Sequence, residues 1–218
     1  VAGGGLGGRW RRRWGGPGGG QSIGRDRIED VLAFLQDNDC VEPAGQRIKA
    51  TPFGARTSDL YLDPFSALRL RAALESRTTA PSPWALLQAV CGCPDLFPLY
   101  LRSGDDWVQE RFWMHHEEML VEADGRDLEA ALSYAKTAFL LEDWMAETHL
   151  DVMEERYVVG PGDIRMRLDN AQWLLHGMRE LARALRPDWV PALTDLGLRL
   201  EHGVKAELLP LIRLKGVG

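Results

Sequence analysis

The apolar positions of this chain recur mostly at helical spacing. Between Arg25 and Gln36, residues Ile28, Val31, Leu32 and Leu35 fall on one face at about 100° per residue, which predicts a helix. The pattern then changes. Cys40-Val41-Glu42 and Arg47 to Ala50 read as two short extended pieces joined by Pro43-Ala44-Gly45. Thr51 before Pro52 marks the next helix start, because threonine accepts from free amides and proline has no amide to satisfy. Asp63-Pro64 opens a helix over Phe65 to Glu75, and Ser82 caps another over Pro83 to Val90. From Asp105 to Ala123 the pattern predicts a long amphipathic helix with Trp107, Phe112, Met119 and Leu120 inward. Leu128 to Met145 reads as a second amphipathic helix, followed by a shorter acidic one near Thr148 to Tyr157. Trp189 to Leu200 and Val204 to Leu214 complete a region that is all-helical from Asp63 onward.

The best-marked element lies between these, from Pro161 to about Arg186. Gly160-Pro161-Gly162-Asp163 supplies turn formers and an acidic residue for the positive end of the helix, while Arg183, Arg186 and Pro187 suit its other end. Ile164, Leu168, Ala171, Leu175, Met178 and Ala182 share one stripe, widened by Leu174, Leu181 and Leu185. Met166, Asn170, Trp173 and Gly177 point elsewhere, with Met166 and Trp173 only about 20° apart in projection. Trp173 is thus off the apolar stripe. Two readings fit: an indole packed against a second layer, or a stacking platform flanked by Arg165 and Arg167, as single-stranded nucleic acid requires.

Composition narrows the field. The chain has 218 residues, 45% of them hydrophobic, which is enough for a real core. No run of about 18 apolar residues occurs, so no membrane-crossing helix is expected. Cys40, Cys91 and Cys93 are an odd number without zinc-site spacing, and read as reduced, half-buried residues of a cytoplasmic protein. The net charge of -6 argues against a general nucleic-acid coat, but it is unevenly spread. Fifteen acidic and four basic residues lie between Asp105 and Arg156, against seven acidic and nine basic from Asp163 to Lys215. Acidic outer helices with a local basic lining remain compatible with binding a phosphate backbone.

Catalytic signatures are missing. His115-His116-Glu117-Glu118 resembles a metal cluster, but adjacent histidines on a helix diverge by about 100° and read as surface residues. There is no G-x-S-x-G arrangement and no G-x-x-x-x-G-K-[ST] phosphate loop. The tract Val1 to Gly24, rich in Gly and Arg with Trp10 and Trp14, cannot bury apolar surface and is expected to be disordered; an RNA-binding tail and a frame or truncation artefact are the alternatives. At the other end, Glu207 to Gly218 reads as a helix running into Gly216-Val217-Gly218, where two glycines let backbone amides approach a phosphate. A plain helix stop explains Gly216 as well.

Five stretches together resemble a family. They are ATPFGARTSDLYLDPFSA (Ala50 to Ala67), CGCPDLFPLYLR (Cys91 to Arg102), LSYAKTAFLLEDWMAE (Leu132 to Glu147), RYVVGPGDIRMRLDNAQWLL (Arg156 to Leu175) and HGVKAELLPLIRLKGVG (His202 to Gly218). In order and spacing they resemble the C-terminal half of archaeal Ski2-like superfamily 2 DNA helicases, relatives of the helicase part of DNA polymerase theta. The resemblance spans Arg25 to Gly218. It implies a mainly α fold: the end of a winged-helix domain over residues 25–62, a helical-bundle ratchet domain over 63–202, and the start of a helix-hairpin-helix domain over 203–218.

The same resemblance implies a role. The family unwinds DNA from 3′ to 5′ at stalled forks, and ATP with Mg is used by two motor domains whose motifs this sequence lacks, so the chain is expected to be inactive alone. Its partners would be single-stranded or forked DNA and the motor domains of the same polypeptide, with no membrane and a monomeric state. The family's long helix stacks on the strand through an Arg and a Trp seven residues apart. Here the Trp falls on Trp173 and the Arg on Met166, with Arg165 and Arg167 beside it; a thioether packs on a base but brings no charge. Gly216 and Gly218 are the further DNA contacts implied. The competing readings are a non-enzymatic helical protein-interaction module, favoured by the acidic stretch, and a helix-hairpin-helix repair protein.

Overall fold

The computed structural model describes residues 22–121 and 127–214. Among them the protein is mainly α-helical, with a single antiparallel hairpin. The chain divides into two compact units, Val1–Phe65 and Ser66–Gly218. Of the Gly- and Arg-rich tract, residues 1–21 lie outside the described residues, whereas residues 22–24 form the first turn of a helix.

The first unit contains helix α1 (Ser22–Asp37), strands β1 (Val41–Ala44) and β2 (Arg47–Ala50), and helix α2 (Pro52–Asp59). Val41 pairs with Ala50 and Ala44 with Arg47, leaving Gly45 and Gln46 as a two-residue turn. Gly45 takes φ +65°, which the twist of a two-residue hairpin favours and glycine adopts without strain. Pro43 falls inside β1, which is tolerated because both strands of a two-stranded sheet are edges. Thr51 caps α2 as the sequence predicts, its Oγ1 accepting from the Gly54 amide at 3.0 Å while donating to the Asp39 carbonyl at 2.5 Å. Gly54 is required at that junction, since a Cβ there would fall 1.8 Å from the Cys40 carbonyl oxygen.

The second unit contains α3 (Pro64–Glu75), α4 (Pro83–Cys91), α5 (Asp106–His115), α6 (Leu128–Met145), α7 (Leu150–Tyr157), α8 (Pro161–Leu185), α9 (Val190–His202) and the short α10 (Leu209–Ile212). Helix α6 is the centre of this unit. It was expected to be amphipathic, yet Ala131, Ala135, Lys136, Phe139, Leu140 and Leu141 are all buried although they point in different directions. Its neighbours α4, α5, α7 and α9 cover it from several sides. Alanine at 131, 135 and 138 lets those neighbours approach closely.

Two helices are shorter than their apolar patterns suggest. Helix α5 ends at His115, and residues 116–118 form a 3-10 turn instead of continuing to Ala123. Tertiary hydrogen bonds account for this. The Arg77 guanidinium takes the Glu117 and Met119 carbonyls, and the Ser82 hydroxyl donates to the Glu118 carboxylate. Likewise Val204 to Leu214 is a 3-10 turn over 206–208 and then four residues of α-helix, because Pro210 can only enter a helix at its first turn.

Arg186 closes the long helix in an unexpected way. Its guanidinium donates to the Leu74, Arg77 and Thr78 carbonyls at the end of α3, pairs with Asp188 at 2.7 Å and lies over the Trp189 ring at 4.3 Å. The arginine therefore serves one orphan carbonyl of α3, that of Leu74, and two of the turn that follows it. Gly203, at φ +62°, ends α9 where a Cβ would stand 2.8 Å from the Trp144 ring.

The three cysteines are buried, at 4% exposure or less, and in no disulfide, where the sequence suggested half-burial. Burial pushes the Cys91 thiol far above its usual range. All three thiols should resist Ellman's reagent in the folded protein and react together in denaturant; a rapidly titrating thiol under native conditions would contradict this packing.

Candidate nucleic-acid interface

Helix α8 begins at Pro161, and the Gly160 amide donates to the Asp163 carboxylate at 3.2 Å. Ile164, Leu168, Ala171, Leu174, Leu175, Met178, Leu181 and Ala182 are buried, and α8 packs on α9 and α4. The buried arc is shifted from the sequence expectation. Gly177 is buried although it was placed outward, while Leu185 is 37% exposed.

Met166 and Trp173 stand at the border of this arc. Met166 is 40% exposed and Trp173 half-buried, so the indole is neither sealed in the core nor fully in water. Asn170 lies on the same side, and its Nδ2 donates to the Asp95 carbonyl at 3.5 Å. That contact lays the irregular segment 94–105 along the first half of α8. Arg165 is exposed and pairs with Asp169 one turn on, at 3.0 Å. Such an exposed pair is worth about 0–1 kcal/mol, so a phosphate can take the guanidinium from it. Arg167 does not flank Met166: it is 8% exposed and turned inward, its Nη1 on the Asp163 carbonyl at 2.9 Å. Burial lowers its pKa from the ordinary value, opposed by the Asp163 carboxylate. Gly216 and Gly218 lie outside the described residues.

Segment 94–105 was missed as a site by sequence reasoning. Leu96 and Leu99 are buried at 2% and 4%, whereas Phe97 and Tyr100 are 65% and 82% exposed. This spacing of three, within Cys91 to Arg102, was its signal. Tyr100 and Arg102 share with Arg167, Asp163, Val158 and Tyr157 the lining of a cleft of about 240 Å³. Val158, which ends α7, has φ +53°, an unusual conformation for a β-branched residue and a local strain beside the cleft.

His115 and His116 face different neighbours. His115 stacks on Trp84 at 5.0 Å between centroids and bonds Glu118 at 2.8 Å, while His116 meets the edge of Trp113. Among the described residues no three His, Cys, Asp or Glu side chains are gathered for a metal ion, and no helix among them is long and apolar enough to cross a membrane.

The profile of the family described as "Archaeal helicase, domain 4" matches residues 84–203, more than half of the chain. The chain belongs to this family. The matched span runs from α4 through α9 and so contains the cleft, segment 94–105 and all of α8. As expected from its quoted stretches, this archaeal helicase domain is similar to proteins named "ATP-dependent DNA helicase Hel308". The one from Methanocella arvoryzae is 36% identical over 200 residues, covering 88% of this chain and 27% of that protein. Those from Pyrococcus horikoshii and Thermococcus kodakarensis are each 32% identical over 88% of this chain and over 28% and 18% of their own lengths. The chain thus spans about a quarter or less of these relatives.

The archaeal helicase domain fastens segment 94–105 through a buried ion pair. Lys136 on α6, its side chain 1% exposed, reaches the Asp105 carboxylate at 2.6 Å and the Tyr100 carbonyl at 3.2 Å. Asp105 also accepts from the Arg102 amide at 2.7 Å, and Thr137 Oγ1 accepts from the Leu99 amide at 2.8 Å. Removing one member of a buried pair leaves the other charge uncompensated. Asp105→Ala should therefore lower unfolding free energy by about 3–5 kcal/mol, read by urea denaturation, whereas Asp169→Ala on exposed α8 should change it by less than about 1 kcal/mol.

Proposed function

We propose that this chain is a single-stranded-DNA-handling segment of an ATP-dependent DNA helicase, in which Trp173 stacks on a base of the strand and Met166 packs beside it. The observation that carries the reading is the half-buried indole at the edge of α8, within a domain whose relatives are named DNA helicases. A half-buried aromatic side chain is already partly ordered before it stacks, and base stacking is worth about 1–3 kcal/mol. Arg165 supplies a cation next to that face once the strand displaces Asp169.

The motor would lie in the part of the relatives' length that this chain does not span. ATP and Mg do not fit the residues present, since the sequence has no G-x-x-x-x-G-K-[ST] loop and the described residues gather no metal trio. In the whole protein, movement along the strand from 3′ to 5′ at stalled forks would be driven by motor domains, with the stack on Trp173 resisting backward slippage. Gly216 and Gly218 would be outer phosphate contacts of the same strand.

Trp173→Ala should weaken binding of a labelled oligo-dT by roughly 5- to 150-fold at unchanged helicity, measured by fluorescence anisotropy. Met166→Arg should tighten it and steepen the fall of log K with log salt by about 0.7, the contribution of one added phosphate contact on a single strand. Wild-type protein that fails to bind oligo-dT at low salt would sink this reading and favour the protein-interaction module.

A further inference from the structure

We infer that segment 97–102 and the cleft behind it form a second nucleotide-binding site, in which the Tyr100 ring stacks on a base while Arg102 and Arg167 hold the adjoining phosphate. The inference rests on the DNA-handling reading and extends it to residues on a different element.

The first observation is exposure without mobility of attachment. A tyrosine ring 82% in water is poorly placed for folding, yet its own carbonyl is bonded by the buried Lys136 ammonium and the preceding amide by Thr137. Two neighbours, Leu96 and Leu99, anchor the segment in the core and force Phe97 and Tyr100 outward. A ring held by its backbone and free at its side chain is a pre-organised platform, which reduces the entropic cost of binding.

Charge is the second observation. Arg102 is exposed and makes no ion pair among the described residues, unlike Arg165. Arg167, at the cleft wall, is over nine-tenths buried, and its Nε has no hydrogen-bond partner. Asp163 is the opposing charge in the lining, but its carboxylate is engaged by the Gly160 amide at 3.2 Å and lies 3.8 Å from Arg167 Nη1. A phosphodiester entering between Arg102 and Arg167 would give a charge-assisted partner to both guanidinium groups.

Place is the third. Asn170, between Met166 and Trp173 in sequence, bonds the Asp95 carbonyl of the same segment. That contact and the cleft that Tyr100 shares with Asp163 and Arg167 lay segment 94–105 beside the first half of α8, the half that also carries Met166, which gives a strand stacked on Trp173 a course toward Tyr100.

The test uses four substitutions at Tyr100 and Arg102, with Trp173→Ala beside them, in the full chain, with oligo-dT anisotropy across a salt series and circular dichroism as the folding control. Tyr100→Ala should weaken binding roughly tenfold with an unchanged salt slope, and Tyr100→Phe should restore it. Arg102→Ala should flatten the slope by about 0.7, and Arg102→Lys should restore the slope. If Trp173→Ala weakens binding while Tyr100→Ala or Arg102→Ala keeps wild-type affinity and slope, the second site is overturned and the Trp173 reading stands. Absence of binding by the wild-type chain overturns both.

Discussion

The Lys136 ammonium sits inside the central helix of the second unit, and that constraint organises the surface above it. An amine there costs several kcal/mol in desolvation unless it is paired. The protein satisfies it with the Asp105 carboxylate and the Tyr100 carbonyl, both from outside α6. One charge in the core thus fixes the middle and the C-terminal end of an irregular segment that has no helix or strand of its own. The same carboxylate accepts from the Arg102 amide, so the shape of the loop and the neutrality of the core are decided together.

Helix α8 shows the complementary arrangement. Its apolar arc is fully spent on α9 and α4, and its polar side carries pairs such as Arg165–Asp169 that cost little to open. Binding surface lies along the border between the two. There Trp173 is half-buried, between the packed arc and the solvent. A strand held in this way would meet aromatic faces and guanidinium groups instead of base-edge donors. That suits grip without sequence preference, since every base offers a π-face.

The chain has a net charge of -6, and several carboxylates of its acidic stretch are engaged within the fold. Asp143 receives Arg156 at 2.5 Å and the Tyr157 hydroxyl at 2.7 Å, Glu142 pairs with Arg111, and Glu118 is held by Ser82 and His115. These contacts tie α5, α6 and α7 together and turn the acidic stretch toward structure.

Local chemistry in the sequence determined the elements: Thr51 and Ser82 as caps, Pro161 as the helix start, the pair of short strands, whose turn is Gly45-Gln46 and not the Pro43-Ala44-Gly45 expected, and a 25-residue helix with Trp173 outside its apolar stripe. The five quoted stretches determined the family. These features were legible because each depends on neighbours a few residues apart. Tertiary structure alone decided that α6 is covered from several sides and not along one stripe, and that α5 stops where Arg77 and Ser82 compete for its last turn. It also decided that Arg167 turns inward and that Tyr100 stands out beside Arg102. Those outcomes depend on which distant groups meet, Lys136 with Asp105 across 31 positions and Asn170 with Asp95 across 75, and periodicity along one element carries no record of such meetings.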